Sequence, residues 1–119
     1  NSAARNIDRI AGDVAHMRGV AASHGRTLGF GISAHVICTE TRKEATELAR
    51  SLEAYGARDR ISLVAAKALG AGLVGTADDI VERLTALHQI GVDTPMIHFY
   101  PMLDGLETFA SEVMPRLPA

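Results

Sequence analysis

Two aromatic side chains near the end of the chain could transfer protons or bind a substrate. His98 and Tyr100 are two residues apart in the segment 96–100, whose apolar character predicts a short buried strand, so they share one face of it. An imidazole titrates near neutral pH, and a phenol donates or accepts a hydrogen bond. We therefore interpret His98 and Tyr100 as candidate catalytic residues. The alternatives are a histidine satisfied by a neighbouring strand and a tyrosine whose hydroxyl reaches solvent.

A third candidate lies in an earlier strand. In the segment 28–38, Leu, Phe, Ile, Ala and Val residues alternate with Gly, Ser and His residues, which is the period of a strand. His35 shares its face with Ser33. If this strand neighbours the strand of His98 and Tyr100, the three side chains converge, and His35 becomes a candidate substrate-binding residue. The alternative is again a histidine satisfied within the sheet.

A glycine-rich loop precedes one of the predicted helices. The sequence Gly70-Ala-Gly-Leu-Val-Gly-Thr76 resembles a loop that cradles phosphate, because backbone N–H groups at a helix N-terminus attract anions. We interpret Gly72, Gly75 and Thr76 as candidate cofactor-binding residues. The glycines are spaced one residue short of the dinucleotide-binding pattern, and no Walker sequence is present. A tight turn followed by a Thr76 helix cap explains the same residues without a ligand.

The remaining polar residues form no known catalytic or metal-binding pattern. His16, His24 and His88 fall on predicted helices or helix ends and have no carboxylate at metal-binding spacing, so we expect no metal site. No serine has a visible His/Asp arrangement, which gives a hydrolase triad no support. The single cysteine, Cys38, excludes an intramolecular disulfide.

Composition limits the classes of partner. The 119 residues include 12 Lys+Arg and 14 Asp+Glu, and a net charge of −2 offers no electrostatic basis for binding nucleic acid or anionic lipid. No apolar stretch is long enough to span a bilayer, and charges in the first twenty residues argue against a signal peptide. We therefore expect a cytoplasmic protein. There is no Trp, so the core must be mainly aliphatic.

Hydrophobic periodicity predicts the element order α-β-α-α-loop-α-β-α. Predicted helices cover 6–24 with an Asn6 cap, a segment from the Thr41–Glu44 capping box to Gly56, 58–69, a segment from the Thr76–Asp79 capping box to Gly91, and 103–114. Strands that alternate with long helices indicate parallel βα units. Two strands, or three if Leu73-Val74 counts, make a narrow sheet whose open edge invites pairing. The pattern predicts the closing part of a larger βα fold and a homo-oligomer.

These motifs, in this order, resemble the C-terminal end of the bacterial-luciferase-like flavin-dependent monooxygenases, in particular the branch that acts on alkanesulfonates and related organosulfur compounds. The strongest block is Gly72-Leu-Val-Gly-Thr-Ala-Asp-Asp-Ile-Val-Glu-Arg83. The other matching stretches are 25–37, 41–49, 91–94, 100–101 and 109–115. The resemblance covers nearly the whole chain and depends on the succession of motifs.

The resemblance implies a TIM-type (β/α)₈ barrel, of which residues 1–119 form one segment, the last two βα units of an incomplete domain. It also implies reduced FMN and dioxygen as reactants, a small organosulfur substrate, a flavin reductase as partner, and a segment that is inactive alone. Tyr100 matches the family's Tyr-Pro at the end of the last strand. Lys67 lies near an Arg that often contacts the anionic substrate, in an insertion cut short here, and is a second candidate substrate-binding residue.

Two other functions fit the same sequence. One is a deazaflavin-dependent oxidoreductase of the same barrel superfamily, which shares the Leu-Val-Gly-Thr block and transfers hydride without consuming oxygen. The other is a non-catalytic α/β assembly module whose sheet edge pairs with a second copy.

Overall fold

The computed structural model describes residues 2–53 and 73–118, and in these ranges helices alternate with strands. The elements are α1 (Ser2–Ser23), β1 (Gly31–Cys38), α2 (Arg42–Glu53), β2 (Val74–Gly75), α3 (Ala77–Gln89), β3 (Thr94–Phe99) and α4 (Met102–Thr108). A π-helical turn (Phe109–Val113) and a 3₁₀ turn (Met114–Arg116) follow α4. The α/β class is confirmed. The helix predicted over 58–69, Lys67 and Gly72 lie outside the described residues.

The three strands form one parallel sheet in the order β2-β1-β3. β3 pairs with β1 from Gly31↔Thr94 to Val36↔Phe99, and β2 pairs with the carboxyl end of β1 at Ile37↔Val74 and Cys38↔Gly75. The two segments predicted as strands are therefore direct neighbours. β2 and β3 flank β1 on opposite sides, whereas three consecutive barrel strands would follow one another in chain order.

Apolar side chains form two separate cores on opposite faces of the sheet. The larger core buries Ala34, Val36, Leu73, Ile80, Leu84, Leu87, Val92, Phe109 and Val113. The smaller core buries Ile37 against three α2 residues: Ala45, Ala49 and Leu52. Because Val36 and Ile37 point to opposite faces, the carboxyl end of β1 is covered on both sides, as its apolar sequence predicts.

Local signals fix the ends of α3 and the carboxyl end of α1. Thr76 and Asp79 form the predicted capping box, and α3 buries Ile80, Leu84 and Leu87, as its periodicity predicts. Glycines with positive φ follow α1 and α3, namely Gly25 at +67° and Gly91 at +108°. The sequence predicts helix ends at both glycines, whereas the third predicted end, at Gly56, lies outside the described residues.

The predicted cap of α1 is wrong. The helix begins at Ser2, so Asn6 lies inside it, and its side chain accepts a hydrogen bond of 2.7 Å from Arg9. The helical period predicts an apolar face that includes Val14, Met17 and Ala21. Val14 and Ala21 are buried, but Met17 is 42% exposed. In the described parts of the chain, no helix has the length and apolar character needed to cross a bilayer.

The C-terminal helix differs from its prediction in phase. A regular 3.6-residue period predicts that Leu106, Phe109, Ala110 and Val113 face inward. Leu106 and Ala110 are exposed, however, and the buried residues are Gly105, Phe109 and Val113. The π-helical turn is wider than an α-helical turn, so it keeps residues spaced by four on the core side. A plain 3.6-residue period therefore points the wrong side chains inward.

Candidate functional site

One face of the sheet carries polar side chains that α2 does not cover. On this face β1 presents Ser33 and His35, and β3 presents Met96 and His98, since alternate residues of a strand share a face. α2 packs where Ile37 lies, at the carboxyl end. Met96 is 59% exposed and His98 is also exposed. The face offers imidazole and hydroxyl groups to a ligand.

His35 and His98 are brought together as the neighbouring strands predicted. They occupy paired positions in the β1–β3 register. Their rings are stacked, with centroids 4.9 Å apart and planes inclined by 23°. His35 is half-buried and His98 is exposed, so a ligand approaching the face meets His98 first.

Tyr100 follows β3 on the same face, two residues beyond His98. Its backbone N–H donates to the Val36 carbonyl at 3.2 Å, and its side chain packs against the smaller core. The Tyr100–Pro101 peptide is cis. Tyr100 is half-buried at the carboxyl edge of the sheet. This is the edge at which parallel α/β proteins bind ligands.

Gly75 and Thr76 lie at the carboxyl end of β2, where Asp79 occupies the donors of the α3 N-terminus. The Thr76 hydroxyl accepts from the Asp79 N–H at 3.3 Å, and the Asp79 carboxylate accepts from the Thr76 N–H at 3.1 Å. Arg42 of α2 donates to both Asp79 carboxylate oxygens, at 3.0 and 2.6 Å. These contacts explain Gly75 and Thr76 without a ligand, because a Cβ on Gly75 would lie 2.8 Å from the Asp79 Cβ.

The Arg42–Asp79 pair is the main electrostatic contact of this edge, and the sequence did not indicate it. The Arg42 hydrogen bonds, helped by the Thr76 backbone N–H, lower the pKa of Asp79 to about 2. The partners are 37 positions apart. Arg42 and Asp79 also each belong to a predicted capping segment. Helix capping therefore already explained both residues, and nothing in the sequence pointed to a contact between them.

We expect Asp79→Asn to lower the free energy of unfolding by about 1–2 kcal/mol at pH 7, because the substitution removes the carboxylate charge that Arg42 and the Thr76 N–H stabilise. The expected loss is no larger because solvent screens the exposed Arg42. The folded-state pKa is lower than the unfolded value of 3.8, so this stabilisation is full above pH 4 and is lost as the pH falls towards 2. Urea unfolding at several pH values measures it.

The adjacent carboxylate gives a matched control for that experiment. Asp78 pairs with Arg116 at 2.5 Å, but the Asp78 side chain is 82% exposed. Exposed pairs contribute little, so Asp78→Asn should change stability slightly. Equal effects of the two substitutions, or a difference that persists at pH 2, would contradict the assignment.

A crevice of about 420 Å³ opens at the carboxyl end of β1, and sequence reasoning missed it. Its lining residues are Cys38, Thr39, Glu40, Glu44, Thr108 and Glu112. Burial raises the pKa of the Cys38 thiol, and the nearby carboxylates of Glu112 and Asp79 raise it further. The thiol is therefore protonated at neutral pH and is a poor nucleophile. The signal that could have found the crevice is the polar Thr39-Glu40 directly after a buried strand.

In the described ranges, no group of three or more His, Cys, Asp or Glu side chains is placed to hold a metal ion.

Comparison with known proteins identifies two relatives that have the same name, sulfoquinovose monooxygenase. The chain is 27% identical to a sulfoquinovose monooxygenase of Novosphingobium aromaticivorans over 93% of its length, and 29% identical to one of Agrobacterium fabrum over 87%. It spans 41% and 36%, respectively, of the lengths of these two curated relatives. No protein-family model matches the chain.

Proposed function

We propose that this chain is the C-terminal part of a flavin-dependent monooxygenase of the luciferase-like family, acting with reduced FMN and dioxygen on a small sulfonated substrate. The observation that carries the proposal is the similarity to two sulfoquinovose monooxygenases along 93% and 87% of the chain. The parallel βα succession and the resemblance of the motifs to that family support it. Sulfoquinovose and simple alkanesulfonates are the substrates to test first.

The proposed parent fold is a (β/α)₈ barrel in which β1 and β3 belong to the final βα units. All three strands are parallel, and each is followed by a helix, as barrel strands are. In this proposal, the remaining strands belong to a part of the full-length parent that corresponds to the unmatched region of the relatives. A homo-oligomeric, cytoplasmic enzyme supplied by a flavin reductase completes the proposal.

Three of the described residues, and Lys67 outside them, are proposed to act on the substrate. His35 binds its anionic group, because a protonated imidazole provides both a positive charge and two N–H donors. Tyr100, at the carboxyl edge, donates a hydrogen bond to a reacting oxygen. His98, on the same face, is the proposed proton-transfer residue. Lys67 remains a proposed second anion contact and lies outside the described residues.

The predicted cofactor residues do not fit a flavin phosphate where the structure describes them. At the α3 N-terminus the Asp79 carboxylate already accepts from the Thr76 N–H, so a phosphate would meet a negative charge. Gly75 is explained by its contact with Asp79. Gly72 lies outside the described residues. We therefore assign the flavin contacts to the rest of the parent protein.

Flavin titration of the full-length parent tests the proposal. We expect reduced FMN to bind and sulfite to appear in an oxygen-dependent manner when sulfoquinovose or an alkanesulfonate is added. Absence of flavin binding would contradict the proposal. Oxidation of substrate with bound deazaflavin and no oxygen consumption would favour the deazaflavin-dependent alternative. A flavin-free dimer of the parent with no activity would favour the assembly module.

A disulfide between β1 and β3 tests whether the strand pairing persists in the parent. Ser33 and Met96 are register partners on one face, so Ser33→Cys with Met96→Cys should form a cross-link under mild oxidation. The background is Cys38→Ser, which removes the native thiol. We expect the cross-link both in the 119-residue chain and in the parent, detected by mass and by gel mobility.

The control places the second cysteine on the opposite face of the same strand. Ile97 adjoins Met96 in sequence but points away from Ser33, so Ser33→Cys with Ile97→Cys should remain reduced. A Ser33–Met96 cross-link that forms in the short chain but not in the parent would mean that another strand separates β1 from β3 there.

A further inference from the structure

β3 forms one edge of the sheet that the described residues build. β1 lies along one side of β3, and no strand of the described ranges lies along its other side. Thr94 and Tyr100, at the two ends of the pairing, direct their backbone N–H groups to β1 and donate to the Phe30 and Val36 carbonyls at 3.2 Å each. Because peptide groups alternate in direction along a strand, those of the odd-numbered residues of β3 point to the open side.

The open side of β3 presents backbone groups that can bind another strand. Ile97 and Phe99 each direct an N–H and a carbonyl to this side, whereas Pro95 directs a carbonyl alone because proline has no N–H. A row of such groups along an edge is a template for pairing with another chain.

β3 lacks most of the features by which proteins prevent pairing between sheet edges. Edge strands are commonly protected by charged side chains, by bulges or by proline. The strand Thr94–Phe99 contains no Lys, Arg, Asp or Glu residue, and it pairs with β1 residue by residue without a bulge. Its single proline, Pro95, stands near the amino end. Met96 is 59% exposed, so the strand also carries apolar surface that a partner would bury.

Two copies of β3 are complementary when they lie antiparallel about a twofold axis at Ile97. The N–H and carbonyl of each Ile97 then pair with the carbonyl and N–H of the other, and each Phe99 N–H donates to the Pro95 carbonyl of the other copy. Both N–H donors that each strand directs to its open side are satisfied. The missing N–H of Pro95 leaves only the Phe99 carbonyl to solvent.

A second register, centred on His98, would use the same two donors. It overlaps only residues 97–99 of the two strands, whereas the Ile97-centred register overlaps residues 95–99. The Ile97-centred register also places each His98 opposite a Met96, which is a favourable contact between a sulfur atom and an aromatic ring. Because cross-strand pairs are the units that stabilise a sheet, the longer overlap favours the register centred on Ile97.

We propose that the open side of β3 is a self-association surface of the 119-residue chain. Two copies pair antiparallel in the Ile97-centred register, which joins their three-stranded sheets into one sheet of six strands. The partner is a second copy of this chain because the backbone groups of β3 are complementary to themselves in that register. The proposal does not rest on the proposed function, since the pairing uses neither flavin nor substrate.

Sedimentation equilibrium of the 119-residue chain tests the surface. We expect a dimer with twice the chain mass of 12.6 kDa. Met96→Lys should raise the dissociation constant of this dimer at least tenfold, because it places a charge on each of the two paired edges. The matched control is Met114→Lys, since Met114 is 56% exposed and lies outside β3, in the 3₁₀ turn. A monomeric unaltered chain, or equal effects of the two substitutions, would overturn the proposal.

Cysteine cross-linking in a Cys38→Ser background tests the register, and it decides the question if Met96→Lys does not fold. Met96 of one copy and His98 of the other would be non-hydrogen-bonded partners with Cα atoms about 4.5 Å apart, which a disulfide can span. A mixture of Met96→Cys and His98→Cys chains should therefore form a mixed disulfide under mild oxidation, detected by mass. A disulfide in either variant alone, or none in the mixture, would overturn the Ile97-centred pairing.

Discussion

Gly75→Ala is expected to lower the free energy of unfolding by about 3 kcal/mol, the largest single-residue effect on stability that the close contacts of the site predict. The added Cβ would lie 2.8 Å from the Asp79 Cβ, at a distance that rotation of the carboxylate cannot relieve. Asp79 is also held by Arg42 and Thr76. Either the backbone of β2 or the start of α3 must move.

Urea unfolding of the 119-residue chain measures this effect, with Gly12→Ala as the matched control. Gly12 lies within α1, and a Cβ there would meet no heavy atom within 4 Å. Alanine is a better helix former than glycine, so the control should stabilise the chain by up to about 1 kcal/mol. If the Gly75→Ala variant is as stable as the unaltered 119-residue chain, Asp79 does not approach β2 so closely.

Tyr100→Phe in the full-length parent is expected to lower kcat/KM about 100-fold with little change in stability. The substitution removes the hydroxyl that we propose donates to the substrate. It retains the ring that packs against the smaller core and the backbone N–H that donates to Val36. Steady-state kinetics at saturating flavin and a thermal melt of the same sample measure the two expectations.

Ser111→Ala provides the control for the loss of a hydroxyl. Ser111 is exposed, and its side chain donates to the Glu107 carbonyl, away from the sheet face. Its activity should equal that of the parent. If Tyr100→Phe is as active as Ser111→Ala, the phenol has no part in the reaction, and Tyr100 is a packing residue at the strand end.

The accurate sequence predictions concerned features that neighbouring residues determine. The Thr76–Asp79 capping box and the buried stripe of α3 repeat at fixed short spacings, so they can be predicted from one segment. The adjacency of His35 and His98 followed from treating their two strands as neighbours. Their stacked geometry could not be predicted, since it depends on the register between two residues that are 63 positions apart in the chain.

The incorrect or missing predictions concerned residues for which a local sequence pattern gave a plausible but incomplete explanation. Asn6 has the residue type of a helix cap, but the chain before it continues the helix. Leu106 and Ala110 fit a 3.6-residue period that the π-helical turn interrupts. In the Thr41–Glu44 segment, Glu44 accepts from the Thr41 hydroxyl, where a full capping box would use the Thr41 backbone N–H. Arg42 had no sequence signal for its distant partner.

The unequal size of the two cores has a consequence for local opening. Among residues 2–53 and 73–118, α2 is held to the sheet by a cluster of four buried residues, whereas α3 contributes to a cluster of nine. We therefore expect the amides of α2 to exchange with solvent deuterium through a sub-global opening. The free energy of that opening should be lower than the free energy of the opening that exposes the amides of α3. Because Tyr100 contacts the smaller core, a molecule bound at the sheet face would selectively slow exchange in α2. That helix would thus report occupancy of the site.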